Sequence, residues 1–209
     1  MPIPPDLVRT VSEATGLPLA TVTDVDRRLA KANLRPVGGR GPNAAQMGPL
    51  EAARLLTAVL ATPKANEAAE AVSRYSETHP DKARSSPGQF ESLGLDDLAE
   101  LSGKHSFVEG LAALITCAAS GFLAKALSGS QAVHIEVFAF TQATHGRIRL
   151  SGLPNGLTAS VEYVPIEHVS ASKSKAAKAG KHSPVATGDL EQSRRVTEQT
   201  IFSVARLFS

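Results

Sequence analysis

The chain has 209 residues, of which 42% are hydrophobic and 20% are charged, and its net charge is +2. These values are ordinary for a soluble globular protein with one large or two small domains, and so small a net charge does not by itself indicate nucleic-acid binding. Aromatic residues make up only 4% and a single cysteine is present, which predicts an aliphatic core and excludes both an internal disulfide and a multi-cysteine metal site.

The first ten residues, MPIPPDLVRT, lack the basic and apolar regions of a signal peptide. The longest apolar run, 107–127, is interrupted by Glu109, Ser120 and Lys125, so we do not expect it to span a membrane. We therefore expect a cytoplasmic protein with no membrane partner. Cys117 lies within this run, where a buried cysteine behaves as a small apolar residue.

Three helices are predicted in the first 61 residues. Residues 4–15 combine an early pair of prolines with apolar residues at helical spacing, and Gly16 is a suitable stop. A second helix, over about 20–32, carries an apolar stripe that consists of Val22, Val25, Leu29 and Ala32. A third helix is predicted over about 48–61, and the stretch RPVGGRGPNAAQ, residues 35–46, connects the second helix to the third.

The middle of the chain is predicted to be mainly helical. A polar, Ala-rich helix over 64–78 is followed by a Pro-, Ser- and Gly-containing loop over 79–89, which is a candidate domain boundary. A short helix over 95–103 and a long apolar helix over about 105–127 follow. Because the long helix is the most apolar, we expect it at the centre of the second half.

Beyond residue 132 the apolar pattern changes to a period of two. It predicts strands over 133–140, 147–150 and 157–166, separated by turn signals, as a three-stranded antiparallel meander. Residues 170–184 contain four lysines and no acid and are predicted to be a flexible linker, with a nucleic-acid tail as the alternative. An amphipathic helix is predicted over 188–208.

The first two predicted helices have the spacing of a helix-turn-helix. That motif requires a glycine at the turn, an apolar residue after it, and apolar positions that pack the second helix on the first. Gly16 and Leu17 fit the turn, and Val11, Val22 and Val25 fit the packing positions.

Cations are concentrated near the end of the second helix. Residues 1–47 contain six cations and four acids, but residues 27–40 contain five cations and no acid. A local cluster of this kind suits phosphate contacts, which supply most non-specific affinity for DNA. Candidate DNA contacts from the second helix and the following stretch are Thr21, Thr23, Asp24, Arg27, Arg28, Lys31, Arg35 and Arg40.

Each of these residues has an alternative role. Thr21 and Thr23 are also suited to helix capping, and the charges of Arg27, Arg28 and Lys31 are equally those of a solvated helix face. Arg40 is also consistent with an ordinary exposed loop charge. Two acids, Asp24 and Asp26, lie at the head of the second helix and argue against dense phosphate contact there. The alternative is that one of them accepts a hydrogen bond from a cytosine amine.

The N-terminal pattern resembles a known family. ATGLPLATVTDVDRRLAKANLRP, followed by VGGRGPNAAQ and MGPLEAARLL, resembles the MerR-type winged helix-turn-helix over about residues 6–61. The resemblance implies that the 20–32 helix is a recognition helix and that residues 35–46 form a wing. The family wing carries Arg and Tyr, whereas this stretch has Arg40 and no aromatic residue. The rest of the chain more weakly resembles regulators of prophage-like elements.

No motif indicates an enzyme, a metal or a cofactor. The GGRG stretch follows a helix and lacks the Lys-Ser/Thr end of a P-loop and the spacing of a dinucleotide fingerprint. The six histidines form no ligand pair at i, i+4, and no G-x-S-x-G nucleophile motif occurs. His134 and Glu136 lie on one strand face, as a proton-transfer pair or as ordinary exposed residues of the meander.

The expected fold is α+β, mainly α, with an N-terminal winged helix-turn-helix, a helical region with a small antiparallel β-meander, and a C-terminal helix. The expected units are a DNA-binding domain, an oligomerisation or partner-binding domain, a basic linker and a C-terminal helix, over residues 1–62, 63–169, 170–186 and 187–209.

The expected function is that of a sequence-specific transcriptional regulator, not an enzyme. It would bind double-stranded DNA as a homodimer or higher oligomer, with a protein partner for the C-terminal half as a further expectation. The helices over 105–127 and 188–208 are the candidate dimerising elements, with packing inside one chain as the alternative. The alternative function is a DNA-packaging protein of a phage-like element, similar to a small terminase, that binds DNA as a ring.

Overall fold

Helices pack on one face of a five-stranded antiparallel sheet in the computed structural model. The α+β class predicted from the sequence is thereby confirmed. The structure describes residues 2–39, 44–88, 90–93, 95–99, 105–127, 134–140, 144–153, 157–165 and 193–209.

The first two helices have bounds close to the predicted ones. Helix α1 spans Pro4–Thr15 and helix α2 spans Leu19–Lys31. Gly16 ends α1 with a φ of 71°, a left-handed conformation that glycine adopts without a steric penalty. The apolar residues of the two helices are buried in a common core, through Leu7, Val8, Val11, Val22, Val25 and Leu29. Ala32, predicted as part of the second stripe, follows the end of α2 and is exposed.

Helix α3, Pro49–Ala61, is the most enclosed helix of the N-terminal half. It begins after Gly48, whose N–H donates to the Glu51 carboxylate at 2.8 Å. Nine of its 13 residues are buried, because helices pack against it on one side and the sheet packs against it on another. A 3-10 turn at Ala65–Glu67 then leads into helix α4, Ala68–Ser76.

The long apolar helix predicted over about 105–127 is divided in two. After the short helix α5, Asp96–Ala99, helix α6 spans Phe107–Ala119 and helix α7 spans Phe122–Leu127. Gly121 between them has a φ of 75°, and this left-handed residue interrupts the helical hydrogen-bond pattern. The prediction of one continuous helix is therefore wrong at its C-terminal third.

The sheet contains the predicted three-stranded meander at its centre. Strand β1 is Thr78–Pro80, β2 is His134–Phe140, β3 is Gly146–Leu153, β4 is Leu157–Pro165 and β5 is Ser193–Thr197, in the order β1-β4-β3-β2-β5. The meander β2-β3-β4 follows from the period-two apolar pattern, which places alternate side chains on one face. The two outer strands were not predicted.

The C-terminal segment corrects the helix predicted over 188–208. Its described part begins with β5, which pairs antiparallel with β2, and only then forms helix α8, Glu198–Ala205. Residues 193–197, SRRVT, are too few to show a clear period, so pairing with β2 decides their conformation. Residues 188–192, like the Lys-rich segment 170–186, lie outside the described residues.

One apolar core connects the N-terminal helices to the sheet. Helix α8 packs against α1 and α6, and α3 packs against α6, β2 and β5. Val137, Ile148 and Val161 form a buried row across the central strands in the same core cluster. The predicted unit boundaries at residues 62 and 169 stay predictions. Described elements on the two sides of each boundary pack against one another, as α3 does with α6 and β2 does with β5.

Candidate nucleic-acid interface

The turn between α1 and α2 is held by side-chain hydrogen bonds. The Ser12 hydroxyl donates to the Leu17 carbonyl at 2.7 Å, across the turn. The Thr15 hydroxyl donates to the Val11 carbonyl at 2.6 Å and accepts from the Leu17 N–H at 3.4 Å. These hydrogen bonds connect the last turn of α1 to Leu17 and therefore restrain the relative placement of α1 and α2.

Helix α2 has a buried face and an exposed cationic face. Its buried residues are Val22, Val25, Asp26 and Leu29. The cations are on the opposite side, where Arg27, Arg28 and Lys31 are exposed. Residues three and four apart share a helix face, so Thr23 and Asp24 lie on the same side as Arg27 and Lys31. We call the set Thr23, Asp24, Arg27, Arg28 and Lys31 the α2 outer face.

Neither threonine of α2 caps the helix through its side chain. The residue before the helix is Pro18, and no side chain accepts a capping hydrogen bond there. Thr23 donates its hydroxyl to the Leu19 carbonyl at 2.7 Å, one turn earlier, which leaves its lone pairs as acceptors. Thr21 is half-buried, so its side chain is less accessible than the cations of the α2 outer face.

The three cations of the α2 outer face differ in their partners. Arg28 forms an i, i+4 ion pair with Asp24 at 3.1 Å, and both side chains are close to half exposed. An exposed pair of this kind contributes about 0.3–0.5 kcal/mol, so it is easily exchanged for another anion. Arg27 and Lys31 form no ion pair or hydrogen bond with any residue that the structure describes. Their charges remain available to a ligand.

Arg35 has a different environment from the other cations. Its Nε and Nη2 atoms each donate to one oxygen of Asp26 at 2.7 Å, and Nη1 donates to the Pro36 carbonyl at 2.8 Å. Both side chains of the pair are largely buried, with 13% and 9% of their surface exposed. Arg35 therefore fixes the chain after α2 to the helix itself, and little of its charge is free for DNA.

The Asp26–Arg35 pair was missed by the sequence analysis, although a signal was present. Asp26 lies four residues after Val22 and three before Leu29, within the apolar stripe of α2. A carboxylate at a stripe position is buried, and a buried carboxylate requires a cation. Arg35 is the first arginine after the helix.

The predicted wing is described only at its two ends. Residues 36–39 and 44–48 contain no strand, and the Met47 N–H donates to the Pro2 carbonyl at 2.9 Å instead of pairing within the stretch. Arg54 of α3 donates to the Leu34 carbonyl at 2.8 Å, which ties the start of the stretch to α3. Arg40 lies outside the described residues, so its assignment as a DNA contact stays a prediction.

A second charged cluster lies on the sheet. The buried carboxylate of Glu162 on β4 accepts hydrogen bonds from His145 Nε2, at 2.5 Å, and from Arg147 Nε on β3. Burial raises the pKa of Glu162, but the hydrogen bonds from His145 and Arg147 outweigh burial and lower the pKa below its ordinary value. We call these three residues the Glu162 cluster. The negative charge of Glu162 is compensated by Arg147 within the sheet, so the cluster is suited to stabilise the sheet.

Two further predictions from the sequence concern the pair His134 and Glu136 and the single cysteine, Cys117. His134 and Glu136 do lie on one strand face, but they have different neighbours: Glu136 pairs with Arg195 at 2.8 Å, and His134 lies 4.0 Å from Glu198. A proton-transfer pair of His134 with Glu136 is therefore not formed. Cys117 is buried, as predicted, with its Sγ 3.4 Å from the Leu93 carbonyl, and burial raises the pKa of its thiol.

Comparisons with protein-family models, with curated proteins and with solved structures give no match for this chain. Within the described ranges, no three His, Cys, Asp or Glu side chains come together as a metal site. No described helix combines the length and apolar character that crossing a membrane requires.

Proposed function

We propose that the protein is a sequence-specific DNA-binding transcriptional regulator in which α2 is the recognition helix. The observation that carries the proposal is the α2 outer face. It combines two cations that have no partner among the described residues with one cation held only by an exposed ion pair. A helix that enters the major groove needs such a face, together with an opposite face fixed to the protein.

The surroundings of α2 support this role. The buried stripe of α2 and the hydrogen bonds at the α1–α2 turn restrain the helix, so its outer face is presented by a rigid support. Arg27, Arg28 and Lys31 are suited to phosphate oxygens, and Thr23 on the same side is suited to a base edge, whereas Asp24 holds Arg28 in the absence of DNA. The MerR-type assignment and the wing over residues 35–46 rest on the sequence resemblance and belong to the same proposal.

The test is a salt titration of duplex binding. Replacing Arg27 and Arg28 together with Gln should weaken binding of the intact protein to duplex DNA. It should also reduce the slope of log K against log salt by about 1.8, because each phosphate contact contributes about 0.9. Fluorescence anisotropy over a series of salt concentrations measures both quantities.

A matched control removes the same charge elsewhere. Arg74 on α4 and Arg206 after α8 are exposed, and Arg74 has only an exposed i, i+4 pair with Glu70. Replacing both with Gln should leave the salt slope unchanged. If the two double variants lose the same slope, only net charge acts and the assignment of α2 as the recognition helix is wrong.

Sequence specificity and assembly need separate measurements. Genome-wide DNA capture with the intact protein should recover a small set of enriched sites if the protein is a regulator. The DNA-packaging alternative uses the same α2 outer face and differs in assembly, because a regulator reads two half-sites as a dimer whereas a packaging protein forms a ring. The mass of the protein in solution distinguishes the two. A cytoplasmic location and a protein partner for the C-terminal half are parts of the regulator proposal.

A further inference from the structure

An open groove of about 400 Å³ lies between the end of α1, the end of α3 and strand β5. Its volume is within the roughly 300–1,000 Å³ that is usual for small-molecule sites. The apolar part of its lining comes from Leu17 in the α1–α2 turn, Val59 and Leu60 in α3, and Val196 in β5. The groove is therefore wide enough for a small ligand and offers apolar surface to its body.

The charged part of the lining is purely cationic. Arg194 and Arg195 line the groove, and none of the described lining residues is acidic. Arg195 is exposed and pairs through Nη1 with Glu136, which is outside the lining. Consecutive strand residues face opposite sides of a sheet, so Arg195 turns its guanidinium toward Glu136 and Arg194 turns its own toward the helices. An anionic group that enters the groove thus meets the Arg194 guanidinium and no carboxylate in the lining.

Arg194 is held in place by the end of α3. Its Nη1 donates to the Val59 carbonyl at 3.0 Å and to the Thr62 carbonyl at 3.3 Å. These two contacts use both hydrogens of Nη1, whereas Nε and Nη2 have no acceptor among the residues that the structure describes. The guanidinium is half-buried and fixed on one side, which leaves a planar pair of donors for a carboxylate.

Two of the three threonine hydroxyl groups in the lining are already used as donors. Thr15 donates its hydrogen to the Val11 carbonyl, and Thr200 donates to the Ala14 carbonyl at 3.2 Å. The third, Thr197, is three residues after Arg194 on β5 and therefore lies on the opposite side of the strand, so an anion would be bound by Arg194. We propose that this groove binds a small carboxylate with an apolar body, with the carboxylate on Arg194 and the body against Leu17 and Val196.

The test uses octanoate as the probe, with octanamide as a neutral control of the same size. Binding to the intact protein is followed by two-dimensional NMR of the backbone amides. Octanoate should shift the amides of Leu17 and Val196 in a saturable way with a Kd of about 1 mM or tighter. Octanamide should bind at least about tenfold more weakly, because it lacks the charge that the guanidinium recognises. Equal shifts with both compounds would overturn the proposal, as would the absence of saturation.

Two variants test whether octanoate binds in the groove. Ala14 is half-buried in the groove wall, and Ala14→Phe fills the groove without altering Arg194. Ala20→Phe adds the same bulk at an exposed position outside the lining. Octanoate binding should be lost in the first variant and kept in the second, with the spectrum of each confirming its fold. Octanoate shifts that persist in a folded Ala14→Phe protein would show that the groove is not the site.

A third variant tests the guanidinium itself. Arg194→Lys keeps the charge but replaces the planar fork with a single nitrogen, so octanoate affinity should fall roughly tenfold. Unchanged affinity would contradict a bidentate role for Arg194. These measurements contain no DNA, so the proposed site and the proposed regulator function are tested independently.

Discussion

The α2 outer face and the Glu162 cluster use the same kinds of charged side chain in opposite ways. In the cluster, one buried carboxylate holds a histidine and an arginine, and its charges are compensated inside the protein. On α2, Arg27 and Lys31 have no such compensation among the described residues, and Arg28 has only an exposed partner. Cations compensated by a buried acid stabilise the fold, whereas cations without one remain available for a ligand.

Arg35 shows that position in the sequence does not decide whether a cation is compensated. It is close to the α2 cations in the sequence. Its charge is nevertheless compensated by a bidentate contact with buried Asp26, as the charge of Arg147 is compensated by Glu162. If charge is divided in this way, removal of a buried acid should cost much stability and removal of an exposed acid should cost little.

Glu162→Gln should give the largest loss of stability. The change keeps the shape of the side chain but leaves Arg147 and His145 without their anion, and the loss of one partner of a buried pair costs about 3 kcal/mol. Urea unfolding measures the free energy of unfolding. The control is Glu70→Gln, whose exposed pair with Arg74 should be worth about 0.5 kcal/mol or less. Equal losses in both variants would show that the cluster is not structural.

Asp26→Asn should destabilise the protein by roughly 2 kcal/mol, because it removes the charge that Arg35 contacts twice in a largely buried site. Asp24→Asn, two residues earlier, should change the free energy of unfolding by about 0.5 kcal/mol or less, since its pair with Arg28 is exposed. Thermal or urea unfolding of the two single variants compares them directly. A larger loss of unfolding free energy in Asp24→Asn than in Asp26→Asn would show that Asp24, and not Asp26, is the structural acid of α2.

The contribution of Glu162 should depend on pH in a defined direction. Its pKa is lower in the folded protein than its ordinary value of 4.5, so folding favours the ionised form. The stabilisation is complete above pH 4.5 and is lost as the pH falls through the lowered pKa of the folded state. The difference in stability between the wild type and Glu162→Gln should therefore shrink on acidification below pH 4.5. A difference that grows there would contradict the lowered pKa.

Asp24→Asn should have the smallest effect, a gain in duplex affinity of about two- to fivefold at low salt. The substitution releases Arg28 and removes a negative charge from the α2 outer face, and both changes favour phosphate. Anisotropy at two salt concentrations measures the gain, which should diminish at the higher one. Weaker binding would mean that Asp24 itself contacts a base, as the sequence analysis allowed.

Part of the candidate site was predictable from the sequence. The exposure of Arg27, Arg28 and Lys31 follows from the positions of Val22 and Val25, because a helix with one apolar stripe turns its other residues outward. The left-handed conformation of Gly16 was also predictable, because glycine commonly ends a helix in that conformation. The partner of Arg35 was not predicted, since it depends on where the chain goes after α2.

The groove was beyond sequence reasoning altogether. Arg194 is far from Val59 in the chain, and the two meet only because β5 pairs with β2 and α3 packs against the sheet. The sequence SRRVT has too few residues to distinguish a strand from the start of a helix. The fold therefore brought together an arginine and an apolar surface from segments that look unrelated in the sequence.

The sequence alone determined the features that depend on local periodicity and conformational preference. These are the helices α1 to α3, the turn at Gly16, the central meander and the cationic side of α2. Tertiary structure decided the strands β1 and β5 and which cations are compensated. The physical reason is that edge-strand pairing and buried ion pairs gain their free energy from partners distant in the chain, which no local pattern specifies.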